Sequence, residues 1–308
     1  MLIGGLELKN NLCLAPLAGV TTLTVREFFS ELGAALTHTE MISCAGLIRD
    51  NQKTFDMLKI SSTEDPLVVQ LFAPDEKILV SGAEQALRIK ICEKFPAFGI
   101  NMACPMPKIT KNNCGSALLK KPDTAFKMVK GLKNFNLPVW VKIRKLENDN
   151  DTLKFVEMLL NAGADNVCIH GRTASQRYEG FADKNILKLS AKNFPNYISA
   201  SGDVKTVNDI QEYLSMGCVA VMLARGAIAN PFLFEEFNGT FKTYDKKIEA
   251  LINFAKRAEK VSGEHKALVL MKRFVPSMLR DTEGSAEKRN LACMAVKLEE
   301  IIKILKED

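Results

Sequence analysis

A chain of 308 residues, 47% of them hydrophobic and 25% charged, can bury a large core, which excludes a disordered or low-complexity polypeptide. The net charge of +6, from 42 basic and 36 acidic residues, permits a polyanionic partner without requiring one. No uncharged apolar run reaches the about 18 residues of a membrane span, and the opening Met1-Leu2-Ile3-Gly4-Gly5-Leu6-Glu7 lacks a basic segment and soon turns polar, so neither a membrane protein nor a secretory leader is expected.

In chain order, short apolar runs alternate with longer amphipathic segments. Strands are predicted at 12–15, 35–39, 67–72, 98–102, 139–144, 166–170, 197–201 and 220–223, with helices at 22–32, 75–94, 122–134, 151–162, 184–193 and 204–216. Strands alternating with helices of this length indicate a parallel sheet, and eight such units in this span fit a (β/α)8 TIM barrel, an α/β fold. The competitor is an open, doubly wound sheet. That fold normally carries a Gly-rich first turn, and Ala15-Pro16-Leu17-Ala18-Gly19 is not one. Asp75, Asp151 and Asp183 stand where helix N-caps belong, and Gly163 and Gly217 where helices should end.

The alternation stops near Asn238-Gly239. From Thr240 the chain reads as helices only, at 246–261, 265–280 and 285–305, which divides it into a barrel over 1–238 and an all-helical domain over 239–308. The stretch from Thr240 to Asp308 holds 15 basic and 11 acidic residues, so +4 of the total +6 lies there. Lys266, Arg273 and Arg280 are seven apart and share one stripe, with Leu268, Met271, Val275 and Leu279 on the opposite side. That stripe is either a solvated face over a packed one or a phosphate-contacting face. Pro276 is expected to bend or divide this helix.

The eight cysteines, Cys13, Cys44, Cys92, Cys104, Cys114, Cys168, Cys218 and Cys293, lie mostly in apolar runs with no CxxC pair. That spacing suits neither a zinc site nor a disulfide scaffold and indicates a reducing, cytosolic compartment. Cys104 is set apart, because Pro105 and Pro107 end its strand and leave the thiol at a rim. Cys114, in Asn113-Cys114-Gly115, also reads as exposed and is the rival.

In a (β/α)8 barrel the site lies at the carboxyl ends of the strands. Those ends supply Pro16-Leu17-Ala18, Gln70, Asn101 with Cys104, Lys142 with Arg144, His170 with Arg172, Ser201-Gly202-Asp203 and Ala224-Arg225-Gly226. The last two are small-residue turns before helix starts, which make either a phosphate site or two ordinary tight turns. A lysine facing into a barrel rim is costly unless it meets an anion, and a reduced flavin, negative near N1, is such a partner for Lys142.

These residues resemble the dihydrouridine synthase family, which reduces uridine in RNA with FMN. The resemblance rests on Asn101-Met102-Ala103-Cys104-Pro105, Gly115-Ser116-Ala117-Leu118-Leu119, Ala15-Pro16-Leu17-Ala18-Gly19-Val20-Thr21, Val69-Gln70-Leu71, Val141-Lys142-Ile143-Arg144 and His170-Gly171-Arg172-Thr173. Gln176, Tyr178, Gly180, Ala182 and Asp183 follow in order, and Gly263-Glu264-His265 with Met271-Lys272-Arg273-Phe274 is similar to the family's helical RNA-recognition domain. Three residues depart from the pattern: Ala103 and Ala224 replace glycines, and Ser201 replaces an asparagine.

The resemblance implies a cytoplasmic enzyme in which NADPH reduces FMN, hydride passes to C6 of a flipped-out uracil, and Cys104 protonates C5 as general acid. It implies that Pro16, Leu17, Ala18, Gln70, Lys142 and His170 hold the flavin, and that Ser201, Gly202, Asp203, Ala224 and Arg225 surround its phosphate. It implies substrate contacts for Asn101, Arg144 and Arg172, and for Lys266, Arg273 and Arg280 in the tail. Transfer RNA is the expected substrate, with ribosomal RNA the alternative and no protein partner required. Two other readings stay open: a flavin enzyme acting on a free pyrimidine or small enone, and a non-catalytic RNA-binding relative.

Overall fold

Eight short parallel strands form the frame: β1 (Leu12–Leu14), β2 (Thr37–His38), β3 (Leu67–Phe72), β4 (Ala97–Met102), β5 (Val139–Arg144), β6 (Asn166–His170), β7 (Ile198–Ser201) and β8 (Ala220–Leu223). The computed structural model describes all residues except 62–63, 65, 89–96, 280–283 and 308. Strand order is β1-β8-β7-β6-β5-β4-β3-β2, and a parallel bridge between Cys13 and Leu36 brings the two ends together into a barrel. The expected fold is therefore the observed one. The period of two along each strand explains it. On β5, Val139, Val141 and Ile143 lie in the layer under the helices, while Trp140, Lys142 and Arg144 alternate with them toward the barrel interior.

The interior is layered. Its lower part is apolar, with Cys13, Leu36, Val68, Trp140, Cys168 and Met222 packed together. A hairpin of Leu2–Ile3 and Leu6–Glu7 meets this lower part, and Trp140 Nε1 donates to the Gly4 carbonyl at 2.9 Å. Gly4 has φ +54°, and a Cβ there would lie 2.7 Å from the Trp140 ring. The Gly4-Gly5 pair is a two-residue hairpin signal that the strand pattern alone passed over.

Helix boundaries follow capping chemistry. Asp183 caps Lys184–Asn193, and the Asp75 carboxylate accepts from Ile78 N–H at the start of Glu76–Arg88. The predicted continuation of that helix to residue 94 lies outside the described residues. Asp151 is not a cap: helix Asp149–Asn161 starts two residues earlier on Asn148, whose side chain accepts from Asp151 N–H. Thr206 opens Val207–Ser215 with a capping box through Asp209, three residues later than predicted. Gly163 and Gly217 follow the helix ends with φ of +103° and +95°.

Beyond Asn238 the described residues are helical, over Tyr244–Ser262, Glu264–Met278, Ser285–Met294 and Leu298–Lys306. The single helix predicted for 285–305 is two. Ala295 turns extended, and the Glu300 carboxylate accepts from Val296 and Lys297 N–H, starting a new helix. Pro276 sits in the last turn of an unbroken helix, Glu264–Met278, and does not divide it, although it removes one i→i−4 donor there. The tail shares the barrel's core: Phe28 stacks on Phe254 at 4.3 Å, and Phe29 and Phe274 join the same aromatic group.

One buried ion pair ties the first helix to the chain before β3. Arg26, on Leu23–Glu31, meets Glu64 through Nε at 2.5 Å, with both side chains fully buried. It also donates to the carbonyls of Thr21 and Lys59. Arg26→Met should lower unfolding stability by about 3–5 kcal/mol, because Glu64 would keep its buried charge without a cation beside it. Urea denaturation measures this, and a change below about 1 kcal/mol would contradict the assignment.

Candidate active site

The carboxyl ends of the strands surround a cavity of about 330 Å³. Its wall contains Pro16, Leu17, Ala18, Asn101, Cys104, Lys142, Arg144, His170, Ser201, Ala224 and Arg225. A second cavity of about 300 Å³ continues from it, sharing His170, Ser201, Ala224 and Arg225 and adding Gly202 and Asp203. A groove of about 370 Å³ between Tyr244–Ser262 and Leu298–Lys306 is lined by no thiol, imidazole or strand end.

Cys104 stands just past β4 and is held by its own strand. The Asn101 carboxamide Oδ1 accepts from Cys104 N–H at 3.0 Å and from Ala103 N–H at 3.2 Å, and its Nδ2 donates to Gln70 Oε1 at 2.8 Å. On the other side Ser116 N–H donates to the Cys104 carbonyl, and Gly115 lies so close that a Cβ would stand 2.6 Å from that oxygen. Burial pushes the Cys104 thiol above its ordinary value, against a backbone contact from Met106 and the charge of Arg144. The thiol is therefore protonated at neutral pH and can act as an acid.

Cys114 is buried rather than exposed, with Sγ on the Asn112 carbonyl, and it is absent from the cavity wall. Cys293 is exposed in the tail, and Cys92 lies outside the described residues. Ala103 has no positive φ, so its methyl adds no backbone strain beside the thiol.

Lys142 and His170 face the same space. The Lys142 ammonium has no carboxylate or hydrogen-bond acceptor among the described residues, and burial pushes it below the ordinary lysine value. Burial first, then the charges of Lys142, Arg144, Arg172 and Arg225, lower His170 to about 2. Its Nδ1 accepts from Arg172 N–H at 3.1 Å, so the neutral ring carries its proton on Nε2 and can donate. A half-buried cation lacking an anion and a neutral N–H donor together fit an electron-rich, anionic ring.

Arg144 is clamped by three carbonyls, of Ala103, Thr173 and Arg177, while still bordering the cavity. Gln70 lies beneath the cavity, buried under Asn101 and Lys142.

The second cavity is shaped by close backbone approach. Tyr213 Oη donates to the Gly202 carbonyl at 2.9 Å. A Cβ on Gly226 would stand 1.9 Å from the Val204 carbonyl oxygen, a distance that forces the two turns apart. Gly226→Ala should destabilise the fold by about 1–3 kcal/mol, and thermal unfolding with wild-type stability would contradict this packing. Asp203 accepts from Ala182 N–H at 2.8 Å and pairs with Arg172 at 2.8 Å and Arg225 at 3.3 Å. Its carboxylate is committed to holding loops together.

Two sequence-based expectations change here. Arg172 is 3% exposed and outside the cavity wall; it clamps the Glu179 and Gly180 carbonyls as well as Asp203, so it supports a loop instead of reaching a substrate. Arg273 is exposed, but its Nη1 donates to the Gly19 carbonyl at 3.0 Å, joining the tail to the loop that carries Leu17 and Ala18. Arg280 lies outside the described residues, whereas Lys266 is exposed as a solvated or phosphate-contacting face requires. The strand-end search missed Tyr178, which borders the cavity from the loop after β6 with Arg144 and Arg225 over its ring at 5.7 and 5.2 Å. Its signal was the Gln176, Tyr178, Gly180 series.

The chain is similar to proteins already known. The family profile described as Dihydrouridine synthase (Dus) matches residues 13–303. A probable tRNA-dihydrouridine synthase of Aquifex aeolicus is 30% identical over 312 residues, covering 97% of this chain and 96% of its own. A probable tRNA-dihydrouridine synthase of Treponema pallidum is 30% identical, covering 92% and 89%. The tRNA-dihydrouridine synthase B of Vibrio cholerae is 30% identical, covering 77% and 73%. Among solved structures, morphinone reductase in complex with tetrahydroNAD superposes with a TM-score of 0.58 at 13% identity, over 80% of this chain and 92% of that one, a likeness of fold.

Proposed function

The chain belongs to the dihydrouridine synthase family, and on that premise we propose that it reduces the C5=C6 bond of a uridine in transfer RNA to 5,6-dihydrouridine. The observation that carries the proposal is a protonated thiol, Cys104, sharing one cavity with an uncompensated ammonium, Lys142. FMN, when bound there and reduced by NADPH, would supply the hydride for C6.

The chain's own groups do the rest. Lys142 and the Nε2–H of His170 would hold the electron-rich part of the flavin, with Gln70 placed below Lys142. Pro16, Leu17 and Ala18 form the apolar wall beside it. Ser201, Gly202, Ala224 and Arg225 border the cavity assigned to the phosphate, with Asp203 bracing the turns. Asn101 acts mainly by fixing the Ala103–Cys104 backbone, so Cys104 Sγ–H meets the base from one direction and delivers its proton to C5. Arg144 borders the same space and favours negative charge on a uracil carbonyl oxygen as the proton arrives. The base must leave its stack, because C5=C6 is closed off within a helix. Lys266 adds positive charge on the tail for the RNA backbone.

The test is direct. Purified protein supplied with FMN and NADPH should add two hydrogens to a uridine of an unmodified transfer RNA transcript, read by mass spectrometry of the digested nucleosides. Free uridine and ribosomal RNA serve as comparisons. Product from free uridine at the transcript's rate would favour the small-substrate reading, and product from none of the three would end the proposal.

A further inference from the structure

The loop after β6 carries a feature that the reduction does not use. Phe181 is 88% exposed, the most exposed large hydrophobic side chain among the described residues, and it stands three residues from Tyr178 at the cavity wall. Three residues span at most about 10 Å, so Phe181 is anchored beside the mouth. Isolated exposed apolar side chains are common and mean nothing alone.

What sets Phe181 apart is how its backbone is held. The Gly180 carbonyl before it accepts from Arg172 Nη2 at 2.6 Å, and the Glu179 carbonyl accepts from Arg172 Nε at 3.0 Å. The Ala182 N–H after it donates to Asp203 Oδ2 at 2.8 Å, and Arg172 and Asp203 pair with each other at 2.8 Å. Ala182 itself packs under Gly202, where a Cβ would come within 2.7 Å of it. Both flanks of the phenyl group are thus fixed from below by one ion pair while the ring projects into water. With the backbone already fixed, only the ring's two side-chain torsions are lost on binding, a small cost for an aromatic group.

The surroundings select the occupant. Arg225 and Lys205 are exposed and line the two cavities at this mouth, exposed Arg177 precedes Tyr178 in the chain, and Glu179 is the exposed acid among them. An apolar ring amid cations suits a base with its phosphates better than an apolar peptide. We infer that Phe181 is a stacking platform for a nucleotide flanking the extruded uridine, a positioning residue that holds the RNA in register. This rests on the proposed RNA substrate.

Equilibrium binding of unmodified transfer RNA at fixed salt tests it with Phe181→Ala, Phe181→Leu and Phe181→Trp. The alanine and leucine variants should each bind about 5- to 150-fold more weakly, whereas tryptophan should retain wild-type affinity. The salt slope should be unchanged, since no ionic contact is removed. FMN affinity should also be unchanged, because the ring does not border that cavity. Wild-type affinity in the alanine variant, or a leucine variant as good as wild type, overturns the inference alone. Wild-type protein that binds no RNA overturns the function as well.

Discussion

Cys104→Ala is expected to lower dihydrouridine formation by about 10²–10⁴-fold while leaving FMN bound and transfer RNA affinity within about twofold of wild type. The basis is geometric. Among the described cysteines, only Cys104 borders the cavity; Cys13, Cys44, Cys114, Cys168 and Cys218 are buried and Cys293 lies in the tail. Asn101 and Ser116 fix the backbone on both sides of the thiol, so alanine replaces only the acid. The pH profile gives an independent reading. The Cys104 thiol is raised above its ordinary value by burial, so its proton is fully present below that value and is lost only as pH rises through the higher one. Product formation should hold through neutral pH and fall on the alkaline side, and that fall should be missing from the residual activity of the alanine variant. Full activity in Cys104→Ala would remove the acid role.

Lys142→Met should weaken FMN binding by about 10- to 150-fold, the loss of one charge-assisted contact, and should lower the reduction potential of the bound flavin. Its effect on the protein without FMN should have the opposite sign. Lys142 is a cation with no anionic partner among the described residues, and burial already disfavours its charge. Methionine of similar length removes that cost, so thermal stability of the FMN-free protein should stay level or rise. Equilibrium dialysis and thermal unfolding separate the two effects. A variant that loses stability without FMN and keeps FMN affinity would show that Lys142 serves the fold instead.

The barrel was legible because each strand carries its own period, and β3, β5, β6 and β8 begin and end where the apolar runs do. The split of 285–305 was hidden because Ala295, Val296 and Lys297 are not helix breakers; the break is made by the Glu300 carboxylate and by Leu298 N–H donating to Glu264, a residue 34 positions away. The rim of the site could be read from strand ends, since topology puts them together. What a side chain does there could not. Arg144 and Arg172 look alike in sequence, yet one borders the cavity and the other is enclosed by Glu179, Gly180 and Asp203. Arg273 looked like a phosphate contact, and its bond to Gly19 comes from the packing of Glu264–Met278 against the barrel. Such distinctions depend on contacts far apart in the chain.

The most direct measurement is a single turnover. Protein with bound flavin is reduced anaerobically by NADPH, freed of excess NADPH, and mixed with unmodified transfer RNA while the flavin absorbance is followed. The account predicts that absorbance returns with one dihydrouridine formed per flavin reoxidised, and that Cys104→Ala makes this return at least about a hundredfold slower. A flavin that stays reduced in the presence of the RNA, or one that reoxidises equally fast in the alanine variant with the same product, would contradict it.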